Sequence, residues 1–170
     1  MTDPLLGPAG ADGFTHLDEQ GRARMVDVAG KDVTHRRAVA RARITMQAET
    51  ARALGAGTVA KGDVLAVARV AGIQAAKRTS ELIPLCHPLT LSSVAVDLMV
   101  GDFWVGVEAT TETVDRTGVE MEALVACSVA ALTIYDMCKA RDRSMTVESL
   151  GLYEKSGGRS GEWRRDDHPT

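Results

Sequence analysis

At 170 residues, with 45% hydrophobic and 25% charged, the chain has the length and balance of one compact domain with a core of its own. Only 4% of residues are aromatic, so Ala, Val, Leu, Ile and Met must build that core. A net charge of −3 and a pI near 5.8 argue against a general nucleic-acid binder, and three cysteines without framework spacing argue against a disulfide-stapled secreted scaffold.

Residues 1–14 are rich in Gly, Pro and Asp and read as a flexible N-terminal extension. One domain is expected over residues 15–161, followed by a C-terminal tail over 162–170. Met1-Thr2-Asp3-Pro4 lacks the basic and apolar regions of a signal peptide. From Arg37 to Met46 the chain alternates, with Ala38, Ala40, Ala42, Ile44 and Met46 on one side, as in a strand with one buried face. A short helix over Gln47–Leu54 is expected to stop at Gly55 and Gly57. Asp63 is placed to cap the next helix, whose stripe is Val64, Val67, Ala68, Ala71 and Ala75. Pro84 and Pro88 then hold an extended loop.

Val94, Val96, Leu98 and Val100 form a strand face, Gly101-Asp102 turns the chain, and Phe103, Val105, Val107 and Ala109 continue as its hairpin partner. A long helix follows over Val119–Ala140. Its thirteen residues from Ala123 to Tyr135 carry no charge, short of the roughly 18 apolar residues of a membrane span. A last strand runs from about Met145 to Glu154, and the Gly/Ser-rich stretch to Gly161 reads as a disordered tail. The order β-α-β-β-α-β predicts an α+β fold, a ferredoxin-like sandwich of antiparallel sheet with helices on one face. A soluble, cytoplasmic protein is expected.

Candidate chemistry lies in a few places. Asp136 and Lys139 stand three residues apart on one helix face after the uncharged run. They can form a plain salt bridge, or share a substrate as base and acid. His87 sits in the stiff loop Ile83-Pro84-Leu85-Cys86-His87-Pro88, where it can hold phosphate or move protons, unless it only ends a helix. Lys61 precedes a helix N-terminus, where anions are attracted. Met121-Glu122 opens the long helix, where an acid suits the dipole in any case. Glu122 and Asp136 project within about 40° of each other but lie about 21 Å apart along the axis. Two antiparallel copies of this helix would bring the start of one toward the end of the other, which suggests a site shared between subunits. Lys155-Ser156-Gly157-Gly158-Arg159-Ser160-Gly161 mixes cations with glycines but is no Walker loop. Cys127 and Cys138 lie about 16 Å apart along their helix, too far to chelate one metal, so no metal site is expected. Between Gly21 and Arg43 seven Lys/Arg face two acids, a local excess suited to an anionic ligand or to a solvated strand face.

Taken together, KGDVLAVARVAGIQAAKRTSELIPLCHPL (Lys61–Leu89), TGVEMEALVACSVAALTIYDMCK (Thr117–Lys139), KSGGRSG (Lys155–Gly161) and HLDEQGRARMVDVAGK (His16–Lys31) resemble the cyclic pyranopterin monophosphate synthases, the molybdenum cofactor biosynthesis protein C family. The resemblance runs from about Thr15 to Gly161. It implies a lyase that converts (8S)-3′,8-cyclo-7,8-dihydroguanosine 5′-triphosphate to cyclic pyranopterin monophosphate, releasing diphosphate, in molybdopterin synthesis. It also implies a homohexamer, a trimer of dimers with active sites at the dimer interface. Position by position, Asp136, Lys139 and Lys61 match the catalytic residues. Leu85, Cys86 and His87, with Met121 and Glu122, match the substrate-binding residues. No cofactor is implied, because the rearrangement is neutral in electrons; a divalent ion such as Mg²⁺ would come with the triphosphate. Lys61, His87 and the Arg-rich strand are candidates to offset charge on the leaving diphosphate. A sheet-borne RNA binder would instead show exposed aromatics, and an inactive oligomer would use Asp136 and Lys139 only as a salt bridge.

Overall fold

The computed structural model describes Gln20 and residues 22–166; the expected N-terminal extension lies outside them. Strand β1 (Thr34–Thr45) is followed by helices α1 (Ala48–Gly55), α2 (Val64–Ala76) and α3 (Thr79–Leu82). Strands β2 (Leu91–Val100) and β3 (Trp104–Asp115), helix α4 (Glu120–Cys138) and strands β4 (Thr146–Ser156) and β5 (Trp163–Arg164) complete the chain. The sheet order is β2-β3-β1-β4-β5, and each neighbouring pair is antiparallel. The first four strands in this order, with α2 and α4 as their crossovers, form the split β-α-β arrangement of a ferredoxin-like sandwich. The fold is therefore α+β, as the residue pattern predicts.

The alternation in β1 holds. Ala38, Ala40, Ala42, Ile44 and Met46 are buried in one core with Val105, Val107 and Ala109 of β3 and Ala123, Ala126, Ala130 and Ile134 of α4. Asp63 caps α2, its side chain accepting from the backbone N–H of Ala66 at 2.9 Å, which satisfies a donor the first turn leaves free. Phe103 departs from expectation. The hairpin closes through the Gly101 N–H on the Trp104 carbonyl at 2.8 Å, so β3 starts one residue later and Phe103 is left exposed in the turn. The single turn of α3 was not anticipated, since a four-residue helix is too short to show a period.

A second correction concerns the C-terminal segment, which is folded rather than disordered. β4 extends to Ser156, and Gly157 (φ +95°), Gly158 (φ +70°) and Gly161 (φ +60°) turn the chain back. β5 then pairs Glu154 with Arg164 and Lys155 with Trp163. Glycine supplies the left-handed backbone such a turn needs, and composition alone does not distinguish that use from flexibility. Arg165 locks the return, donating from its backbone N–H to the Tyr153 carbonyl and from Nε to the Leu152 carbonyl, both at 2.8 Å.

α4 packs on β1, β3, β4 and α2. Its 19 residues are long and apolar enough to cross a bilayer by length and composition, but half of the most apolar window is buried inside the fold, as in the central helix of a globular core. The outer sides of both long helices are apolar too: Leu132 of α4 and Val70 of α2 are each 58% exposed. The helices approach closely at Gly72. A Cβ there would come 2.9 Å from the Ala126 carbonyl oxygen and 3.3 Å from the Ala130 Cβ. Gly72→Val is expected to lower stability by about 1–3 kcal/mol through overpacking, read as a lower urea midpoint at unchanged slope. A midpoint at or above that of the parent would contradict the close approach.

Candidate functional site

The two ends of α4 carry two separate clusters. At its C-terminal end Lys139 Nζ donates to Asp136 Oδ1 at 2.6 Å. Lys61 Nζ donates to the Asp136 backbone carbonyl at 2.9 Å and to Oδ2 at 3.4 Å. That carbonyl is among the last four of the helix, which lack intrahelical partners, so Lys61 serves as a remote C-cap and a cation at the negative end of the dipole. Lys61 comes from the loop between α1 and α2, where Gly62 takes φ +95°. The hydrogen bond from Lys139 and its charge, then the charge and hydrogen bond of Lys61, hold the Asp136 carboxyl below its ordinary value. Asp136 is 59% exposed, so water and salt moderate these pairings. The three residues expected to be catalytic are thus together, one carboxylate between two ammoniums.

At the N-terminal end of α4, Leu85, Cys86, His87, Met121 and Glu122 line one cavity of about 300 Å³, with Lys31, Glu120, Gly118 and Val28. All the residues expected to contact substrate meet there. Glu122 is only 4% exposed. Burial pushes its carboxyl up to about 7; the hydrogen bond at its backbone opposes this and the charge of Glu120 adds to it. Burial, and then the Glu122 charge, also raise the Cys86 thiol. Cys86 therefore lines the cavity as a neutral thiol rather than a thiolate nucleophile.

A smaller cleft adjoins this cavity, sharing Gly118 and Glu120 and adding Arg36, Lys155, Gly157 and Ser160. Lys155 Nζ lies 3.8 Å from Glu120 Oε1 and donates to the Ser160 hydroxyl. Arg36 is fixed by its Nε on the Asp115 carbonyl and its Nη2 on the Arg116 carbonyl, both at 3.0 Å. Glu120 is the residue that sequence reasoning missed; Lys31 and Arg36 belong to the basic excess between Gly21 and Arg43, and Lys155 to the glycine-rich stretch, but none was singled out by itself. Arg36 was visible in principle, because it shares the parity of Ala38 and Ala40 and so faces the helices.

Of the Arg-rich strand expected to offset diphosphate charge, Arg36 and Arg37 line the smaller cleft, while the arginines of the outer face are already engaged. Arg37 pairs with Glu154 at 3.1 Å and Glu112 at 3.8 Å, and Arg41 with Glu108 at 2.6 Å. Arg43 stacks over Trp104, 4.7 Å from the ring centre. These side chains lie on the sheet face away from the helices, where cross-strand acids and an aromatic ring already engage them.

The two clusters are separated by fourteen residues of helix, about 21 Å, and share a face. A single copy therefore does not bring Glu122 and His87 to the Lys61–Asp136–Lys139 group. An α+β sandwich with a buried acid of raised pKa in a cavity beside Lys31, and a carboxylate braced by two lysines, is an arrangement able to hold a small anion and exchange protons with it.

Comparison with known proteins makes this particular. The MoaC family model matches residues 25–158, and the chain belongs to the MoaC family. It is 64% identical to the cyclic pyranopterin monophosphate synthase of Thermomicrobium roseum over 156 residues, 91% of this chain and 94% of that one. It is 63% identical to the enzyme of that name from a Roseiflexus species, over 90% of this chain and 98% of that one. Cyclic pyranopterin monophosphate synthase 3 of Mycobacterium tuberculosis is 60% identical over 91% of this chain and 88% of its own length.

The raised Glu122 carboxyl has a consequence for stability. An acid whose folded value lies near 7, against an ordinary 4.5, contributes stability that is full below about pH 4.5 and is lost as pH rises through about 7. Glu122→Gln stays neutral and escapes that loss. Urea unfolding should show the variant gaining on the parent between pH 5 and pH 8, by on the order of 1–3 kcal/mol. A gap that does not grow with pH would contradict the buried-acid assignment.

Proposed function

We propose that this chain is a lyase of molybdenum cofactor biosynthesis. It would take (8S)-3′,8-cyclo-7,8-dihydroguanosine 5′-triphosphate, rearrange it to cyclic pyranopterin monophosphate and release diphosphate. The observation that carries the reading is the convergence of Leu85, Cys86, His87, Met121 and Glu122 on one cavity rimmed by Lys31, beside the cleft of Arg36 and Lys155. A nucleotide-derived triphosphate needs such cations, because closing the cyclic phosphate builds negative charge on the departing diphosphate. Opening the imidazole ring and rebuilding it as a pterin needs repeated proton transfers, each worth about 10²–10⁴-fold when a positioned group performs it. Glu122, poised near 7, can give and take protons at neutral pH. Asp136, held below the ordinary carboxylate range, is a poor base. Its role is to hold Lys61 and Lys139 as paired ammoniums, of which Lys139 serves as acid.

The same reading places the active site between two subunits of a homohexamer arranged as a trimer of dimers. Supporting this are the 21 Å (approximate) axial gap between clusters on one helix face and the apolar outer sides of α2 and α4, with Val67, Val70 and Leu132 exposed. Two antiparallel copies of α4 would cover those residues and set the Glu122 end of one beside the Asp136 end of the other. The enzyme would work in the cytoplasm, without a resident cofactor; a divalent ion would enter on the triphosphate. Among the described residues no group of three or more His, Cys, Asp or Glu is arranged to hold a metal ion.

The test is product analysis with the cyclised dihydro-GTP triphosphate as substrate. The parent protein should release diphosphate and a pterin. Asp136→Asn and Lys139→Ala, folded and assembled as the parent, should lose activity ~10²-fold or more. No turnover by well-folded parent would leave a binding protein instead. Full turnover in both variants would reduce the lysine–aspartate group to a salt bridge.

A further inference from the structure

Asp142 lies outside both clusters and has no part in the roles assigned above, yet it is only 1% exposed. A buried carboxylate is expensive unless its oxygens are well supplied with donors, and this one is. Oδ2 accepts from the Gln47 backbone N–H at 2.7 Å and lies 3.4 Å from the Thr50 hydroxyl. Oδ1 accepts from the Ser144 N–H at 2.9 Å and the Ser144 hydroxyl at 2.6 Å. Gln47 occupies the N-cap of α1 but makes no side-chain cap of its own. The cap comes instead from Asp142, 95 residues away in sequence, and brings a negative charge to the positive end of that helix.

What this joins matters for the site. Asp142 follows Asp136 by six residues, and its own N–H closes onto the Cys138 carbonyl at 3.1 Å, so it rides on the end of α4. On the other side, α1 leads directly into the loop that carries Lys61. That loop hangs from the helix through the Thr58 N–H on the Ala53 carbonyl at 3.0 Å and the Gly57 N–H on the Leu54 carbonyl at 3.1 Å. Asp142 thus ties the segment that leads to Lys61 to the end of α4 that carries Asp136, alongside the packing of α2 on α4. The exposed pair Arg141–Glu49, at 3.8 Å, spans the same two segments but is too solvated to do this.

We propose that Asp142 is a positioning residue for the lysine–aspartate group: it fixes the N-terminus of α1 to the end of α4 and thereby holds Lys61 in place against Asp136. The inference rests on the proposed lyase activity for its kinetic consequence, but its structural consequence stands apart. The cations that rim the substrate cavity lie at the far end of α4 and do not depend on Asp142. Its loss should therefore act on kcat and leave KM nearly alone.

The variants are Asp142→Asn and Gln47→Pro. The second removes the N–H donor while leaving the carboxylate in place, and the φ of −65° at Gln47 suits proline, so it serves where loss of the carboxylate prevents folding. On folded, assembled protein, kcat for the cyclised dihydro-GTP triphosphate should fall at least tenfold, with KM within about twofold. Carbon-13 NMR should show the Asp136 carboxyl titrating at higher pH than in the parent, because one of its two ammoniums has drifted away. If the parent shows no turnover, the NMR shift still reports the positioning and only the lyase reading fails. An Asp136 titration unchanged in either folded variant would overturn the proposal, as would unchanged kcat in an active enzyme.

Discussion

One helix sets the terms for this molecule. α4 is apolar on nearly every side, so its charged side chains are confined to its ends, and the helix length holds those ends about 21 Å apart. The inner side of α4 packs on the central strands and, at the Gly72 contact, on α2. It therefore cannot bend to bring Glu122 and Asp136 together. The same rigidity gives each end a well-defined environment. One end is buried in a cavity and raises an acid; the other emerges into water beside two lysines and lowers one. Environments that push two carboxyls apart in this way assign different proton-handling roles to chemically similar groups.

The charge arrangement also separates what binds from what braces. Arginines facing away from the helices are committed to Glu108, Glu112 and Glu154 across the sheet and stiffen it. The one arginine of β1 that faces the helices near the cavity, Arg36, is held by backbone carbonyls rather than by carboxylates, so it keeps its positive charge for an anion. The β4–β5 hairpin contributes Lys155 to the same place. Under the proposed function this would give the glycine-rich turn a use in binding as well as a structural one.

Much of this was legible in the residue pattern, and the remainder was hidden for identifiable reasons. The alternation from Arg37 to Met46, the Asp63 cap and the long helix are local, and local periodicity finds them. Asp136 and Lys139 meet because they are three residues apart. Lys61 reaches Asp136 across 75 residues of sequence, and Asp142 reaches Gln47 across 95; no spacing rule connects such pairs. The fate of Arg37 and Arg41 depended on cross-strand acids 67 to 117 residues away. The hairpin after β4 was missed because turn glycines and linker glycines look alike until a strand is seen to return.

The central claim is that a complete site needs two copies of the chain, one giving its Glu122 end and the other its Asp136 end. The direct measurement mixes two inactive variants, His87→Ala and Asp136→Asn, under conditions that dissociate and reassemble the protein, and assays diphosphate release. In a mixed dimer one of the two sites would draw both of its halves from unaltered residues. Random reassembly of equal amounts should then recover roughly a quarter of the parent activity. No recovery from mixtures shown to contain mixed dimers would contradict the account.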